Sequence, residues 1–209
     1  ASTEGEAAPF RDCGLRTLVS GVGKVNAAVS ATCAMERTAF DAVVSVGVAG
    51  SLPHSELKPG DIVIADHVVY AEEGMVAPDG FHTIESMGFP LADFFNGNRL
   101  AMNTELLRHV RSLLPNGHVG AIATVATCSG TSAGAEEVYA RTDSIAEAME
   151  GTAVVHAAGL LGVPGIEVRA ISNHTGDRDS QDWDMPAAQS ALHQIAQALS
   201  ELDASYRTS

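Results

Sequence analysis

The chain is 209 residues long, enough for one substantial core, and its 45% apolar content with only 5% aromatics fits a sheet covered by closely packed helices. A formal charge of −14 leaves no basic stripe to displace counterions, which excludes binding to a nucleic-acid backbone. No apolar run has the roughly 18 residues of a spanning helix, residues 1–11 hold no secretory apolar region, and three scattered cysteines without a C-x-x-C read as reduced thiols in a cytosol.

Residues 1–12 have the composition of a loose end or surface loop. Residues 15–19 form the first expected strand, and residues 25–38 an alanine-rich helix. Between them, Gly21-Val22-Gly23-Lys24 lacks the spacing and the following Ser or Thr of a nucleotide phosphate loop. It reads as a tight strand-to-helix turn whose helix N-terminus faces a ligand cleft. Residues 42–50 are a continuous apolar strand of the doubly buried, parallel kind. Its Gly47 and Gly50 serve either close approach of a ligand to the main chain or strand packing. A strand over 61–70 follows the Pro59-Gly60 turn. Residues 71–99 are irregular and hold four of the six phenylalanines, Phe81, Phe89, Phe94 and Phe95; loops this long are functional or lie at an interface. An amphipathic helix over 100–114, a strand over 119–127 and a short helix over 133–141 come next.

Residues 144–179 carry the chemistry. A helix is expected in which Ala148, Gly151, Thr152, Ala153, Ala157 and Ala158 surround a single acid, Glu150. Side chains that small let a helix lie against a sheet, so Glu150 enters packed surroundings. Gly162, Pro164 and Gly165 stop the helix, and a buried strand over 166–171 feeds the polar run from Ser172 to Asp177. Asn173 then lies just past a strand's carboxyl end, where open α/β sheets place ligand chemistry. Residues 185–202 form a closing surface helix with Ala188, Ala191, Leu192, Ile195 and Leu199 inward.

Ala148-Met149-Glu150-Gly151-Thr152-Ala153 with Arg169-Ala170-Ile171-Ser172-Asn173 resembles the signature pair of the nucleoside phosphorylase and nucleosidase superfamily. The blocks at Ser20–Ala28, Gly47–Leu52 and Gly60–Asp66 are similar to that family's remaining ones, in the same order. Gly151 and Asn173 look most like the futalosine hydrolase branch; the related methylthioadenosine/adenosylhomocysteine nucleosidases carry aspartate where Asn173 stands. The resemblance implies an α/β single domain with a twisted mixed central sheet flanked by helices, a small nucleoside substrate, a homodimer, and no metal or organic cofactor. It also implies a substrate lined by Met149, Val48, Ala49, Gly50, Thr127, Cys128, Ser172 and Arg169, with Thr127 or Cys128 backbone groups beside the base.

Cleaving an N-glycosidic bond makes three demands: hold the sugar hydroxyls, donate to the departing base, and position a water. Glu150 meets the first, since a carboxylate accepts from two hydroxyls and favours a cationic sugar; the alternative is a buried pair with Arg169. Asn173 meets the second. Its amide donates to N7 or to a 6-keto oxygen, which favours a 6-oxopurine over adenine; the alternative is a turn-forming asparagine. No arginine-bearing loop offers itself to a phosphate dianion, so water is the expected acceptor. The third demand has no expected owner: relatives carry a glutamate after a first strand for which residues 1–14 hold no counterpart, and Glu4 and Glu6 follow no apolar run. Asp177, Asp179, Glu72 and Glu73 are weaker substitutes, better read as solvated loop charges. Three readings stand: a futalosine-type hydrolase, a methylthioadenosine-type nucleosidase tolerant of Asn173, or a purine-nucleoside binder without turnover, with phosphate dependence marking a phosphorylase instead.

Overall fold

Two apolar strands sit side by side in the computed structural model, which describes residues 1–206. β1 (Val43–Ser51) and β8 (Gly165–His174) run in parallel from Val43 opposite Gly165 to Ser51 opposite His174, with a bulge between Ala49 and Gly50. β2 (Ile62–Tyr70) lies parallel to β6 (His118–Thr124) and is edged by the antiparallel β5 (Arg99–Ala101). The three-residue β7 (Ala146–Ala148) bridges β6 to the end of β1. Ile62 to Ile64 of β2 also pair with Val168 to Ala170 of β8, so the order β5-β2-β6-β7-β1-β8 curls round and meets itself. The expected α/β fold with a mixed, twisted sheet is present. Closure gives β8 a strand on both sides of Arg169, since Gly47 and Val63 both oppose it.

Helices cover this ring. α2 (Lys24–Arg37) and α5 (Gly151–Leu160) pack on one another, and α6 (Met185–Tyr206) packs on α1 (Glu4–Asp12), α3 (Thr104–Leu113) and β8. The expected inward row of α6 is buried: Ala188, Ala191, Leu192, Ile195 and Leu199. α4 (Ser132–Thr142) follows β6. No described helix is long and apolar enough to cross a membrane.

Several expectations are corrected. Residues 1–12 are not a loose end: α1 begins on a reciprocal cap in which the Thr3 hydroxyl accepts from the Glu6 amide while the Glu6 carboxylate accepts from the Thr3 amide. Residues 15–19 form no strand: Leu18, Ser20 and Gly21 exchange a few backbone bonds with Ala1 and Ser2, and the Leu15 amide bonds the Phe10 carbonyl, too few contacts to make a ladder. Residues 71–99 contain a hairpin, β3 (Gly74–Ala77) and β4 (Gly80–Thr83), joined at Pro78-Asp79. The helix expected from residue 100 starts at Thr104, where Asn103 caps it through the amides of Glu105 and Leu106. Residues 125–127 lie beyond β6. Ala148 belongs to β7 and Glu150 precedes α5, so that acid stands at a strand-to-helix junction and not within a helix. A three-residue strand shows no periodicity to read.

Candidate active site

Arg169 organises the site. It is 1% exposed, and its guanidinium is divided among several acceptors. Nε donates to Glu167 Oε1 at 2.8 Å, Nη1 to the Val48 carbonyl at 3.3 Å, and Nη2 to Ser45 Oγ and Glu150 Oε2, both at 3.3 Å. Burial alone pulls its proton affinity down, but Glu167, Glu150 and Glu6 raise it further, so it stays charged. Gly47 opposes Arg169 on β1, and a β-carbon there would lie 2.6 Å from both Arg169 Nη1 and Glu6 Oε1. A side chain at 47 would have to displace the ends of these charged side chains, a third role for this glycine beside ligand approach and strand packing.

Glu150 is buried, as expected. Its Oε1 accepts from the Gly23 amide at 2.9 Å, which joins the Gly21-to-Lys24 turn to the site. Both expected readings of Glu150 are thus physically compatible: Arg169 takes one oxygen at long range, and each oxygen keeps a lone pair for a sugar hydroxyl.

Glu6 is the residue that sequence reasoning missed. It is 5% exposed, its Oε1 accepts from the Val48 amide at 2.9 Å, and Oε2 accepts from Ser2 Oγ and from the amide and hydroxyl of Thr3. Burial pushes the carboxyl up, but bonds from Ser2 and the Val48 amide, the charge of Arg169 and the bond from Thr3 more than offset it. Glu6 is held below the ordinary carboxylate range and is anionic at neutral pH. The legible signal was the Thr3-x-x-Glu6 capping box, a helix-start pattern that also brings the acid indoors. Glu4, by contrast, pairs with Arg11 on the surface.

The carboxamide of Asn173 lies within β8 and not beyond it, next to Gly50, and is 4% exposed. Ser172 Oγ lies 2.9 Å from Asn173 Oδ1 and 3.2 Å from the Ala49 carbonyl, and Asn173 Nδ2 donates to the His174 carbonyl at 2.9 Å. One amide hydrogen of Asn173 remains for a ligand. Consecutive β1 residues thus seat Glu6 at Val48, Ser172 at Ala49 and Asn173 at Gly50. Met149 packs against the small cluster of Leu52, Ala71, Ala123, Val125 and Val138. Thr127 and Cys128 are exposed, and the amides of Ala126 and Thr127 are already held by Glu72, so Thr127 does not present a free amide to a base. Glu72 and Glu73 bind Lys24, and Asp177 accepts from the Ser132 amide; these acids tie loops together.

A cavity of about 710 Å³ runs along the edge of β1 at Val43, Val44, Ser45 and Val46, with Glu150 at one end. Its walls are mainly apolar, from α2, α6 and residues 14–18, and it adjoins the charged cluster at Ser2, Ser45 and Glu150.

The sequence profile of the phosphorylase superfamily matches residues 16–202. The chain belongs to the phosphorylase superfamily. It is 36% identical over 190 residues to futalosine hydrolase of Acidothermus cellulolyticus, spanning 90% of this chain and 75% of that protein. It is 30% identical over 177 residues to 5′-methylthioadenosine/S-adenosylhomocysteine nucleosidase of Bacillus subtilis, spanning 84% and 75%. Among solved structures, a mutant futalosine hydrolase of Helicobacter pylori has a TM-score of 0.75 at 20% identity, covering 99% of this chain and 96% of that one, a likeness of fold. Glu6 falls outside the stretch that the superfamily profile matches, whereas Arg169, Glu150 and Asn173 fall within it.

Proposed function

We propose that this chain is a futalosine hydrolase, which cleaves the N-glycosidic bond of a 6-oxopurine nucleoside with water and releases hypoxanthine, a step of menaquinone biosynthesis. The observation that carries the reading is an anionic Glu6 bonded to Val48 and a neutral carboxamide at Asn173 beside Gly50, both on β1, with Glu150 linked to that strand through Arg169, which also bonds the Val48 carbonyl. Identity to futalosine hydrolases supports it.

The residues then divide the reaction. Glu150 accepts from the ribose hydroxyls, and its negative charge favours the cationic sugar as the C1′–N9 bond lengthens. Glu6 takes a proton from water as the water oxygen bonds to C1′. The bonding pair leaves with the purine, whose anion Asn173 stabilises by donating a hydrogen bond from its remaining amide hydrogen to N7 or the 6-keto oxygen; the anion takes a proton from solvent to become hypoxanthine, and Glu6 returns its proton to solvent. Arg169 bonds Glu150 and acts on Glu6 through its charge alone, so it neutralises neither acid completely.

We also read the enzyme as a cytoplasmic homodimer. Val25 and Val29 of α2 and Leu160 of α5 are 57–77% exposed on two helices that pack together, and Val22 and Phe94 are exposed as well. An apolar face of this kind is typical of an interface. Three free thiols fit a reducing compartment.

The test is base release from futalosine, inosine and methylthioadenosine, with and without phosphate. Hypoxanthine from futalosine, independent of phosphate, is the expected result. Adenine as the main product makes the chain a methylthioadenosine-type nucleosidase, phosphate dependence makes it a phosphorylase, and tight binding with no base released makes it a binder.

A further inference from the structure

Glu167 has no part in the chemistry above, yet it is fully buried, two residues before Arg169 on the same face of β8. Oε1 accepts from Arg169 Nε at 2.8 Å, while Oε2 has no hydrogen-bond partner. A carboxylate in such a position is expensive, and an apolar residue would fill a buried strand at lower cost. The neighbouring backbone is also shaped around it: a β-carbon built on Gly151 would overlap the Glu167 carboxylate. Gly151 opens α5 directly after Glu150, so Glu150, Gly151, Glu167 and Arg169 form one packed unit.

We propose that Glu167 is a positioning residue of the hydrolytic site, that it holds Arg169 by Nε so that the guanidinium cannot turn its full fork onto Glu150, and that Gly151 is glycine to make room for it. The inference rests on the hydrolase reading for its effect on turnover. Its physical basis is competition for one cation. A guanidinium pairs best with a carboxylate through two parallel bonds. Here Arg169 gives Glu150 only a single 3.3 Å bond, because Nε is committed to Glu167 and Nη1 to the Val48 carbonyl. Without Glu167, Arg169 is free to take both Glu150 oxygens and remove them from the sugar.

The balance depends on charge. Burial pushes the Glu167 carboxyl up, Arg169 brings it partly back and Glu150 raises it again, to about 7. The groups facing it are Arg169 from β8 and Glu150 from the junction before α5, with Glu6 of α1 acting through Arg169. As pH rises through that value Glu167 becomes anionic, draws Arg169 more strongly away from Glu150, and turnover rises.

Four variants test this, assayed for hypoxanthine release from futalosine and for thermal unfolding. Glu167→Val is expected to lower kcat about 100-fold, the effect of a roughly 1 Å misplacement. Glu167→Gln keeps the shape and the acceptor for Nε. It should match wild type below pH 6, fall on the order of tenfold below it at pH 8, about one pKa unit on a neighbouring acid, and lose the ionisation near 7 from its kcat profile. A merely structural role leaves that profile unchanged. Gly151→Ala lowers the melting temperature, and adding Glu167→Val restores most of the loss, because the new methyl fills the vacated space. Unfolding needs no substrate, so this cycle is read whether or not futalosine is the substrate. Independent melting shifts for the two substitutions, or a Gln variant with the wild-type profile, overturn the proposal; no hypoxanthine from the wild type overturns the hydrolase reading instead.

Discussion

Aspartate in place of Asn173 exchanges an amide donor for a group that, once protonated, donates to N7 while accepting from a 6-amino group. The Ser172 bond to Oδ1 survives the change, so the side chain stays where it is. We expect Asn173→Asp to shift preference from futalosine towards methylthioadenosine by roughly 5- to 150-fold in kcat/KM, the cost of about 1–3 kcal/mol for one mismatched buried polar group. Competition between the two nucleosides, read as hypoxanthine against adenine, measures it; an unchanged ratio would remove Asn173 from base recognition. Asn173 and Glu150 were singled out by the resemblance to the superfamily's signature blocks, since residue type and local pattern alone also allow a turn at 173 and a buried pair of Glu150 with Arg169. Glu6 was not, since its burial comes from four bonds, one of which reaches across the fold to Val48.

Helix α1 is short, and its start is determined by Thr3. The Thr3 amide and hydroxyl both bond Glu6 Oε2, so the same contacts that begin the helix orient the proposed base. Thr3→Ala removes the cap and one of these bonds. The expected loss is about 0.5–2 kcal/mol in chemical denaturation, together with a fall in kcat larger than any rise in KM, because only the water-activating group is disturbed. If stability falls and kcat does not, α1 supports the fold alone. Element positions along β1, β2, β8 and α6 were readable from apolar runs, and α2 from its alanine-rich pattern. Residues 15–19 and β7 were not: a strand needs a laddered neighbour, and the former meets only the first two residues of the chain while the latter pairs with two strands.

Charge and shape act together over the assembled protein. A chain at −14 repels copies of itself, so an interface must gain from apolar contact what it loses to electrostatics. In the dimer proposed above, the outer face of α2 would supply that contact, beside His156, Phe94 and Phe95, whose rings cluster with Tyr70. Val25→Glu adds a charge at the centre of this face, where the valine is 77% exposed and contributes little to the monomer's own core. We expect it to convert a dimer to a monomer in sedimentation at micromolar concentration while the melting curve of the monomer stays within a few degrees. A wild-type protein that sediments as a monomer would refute the dimer.

Local sequence determined the four long strands β1, β2, β6 and β8, the helices α2 to α6 and the α/β class, because these depend on residue type and spacing within a few turns of chain; the roles proposed for Glu150 and Asn173 came from the resemblance to the superfamily's signature blocks. The closed ring, the buried Arg169 with acids from three separate segments around it, and the reason for glycine at 47 and 151 were decided only by tertiary structure. Those features are volumes and charges shared between distant segments, and no single segment carries the information about what will occupy the space beside it.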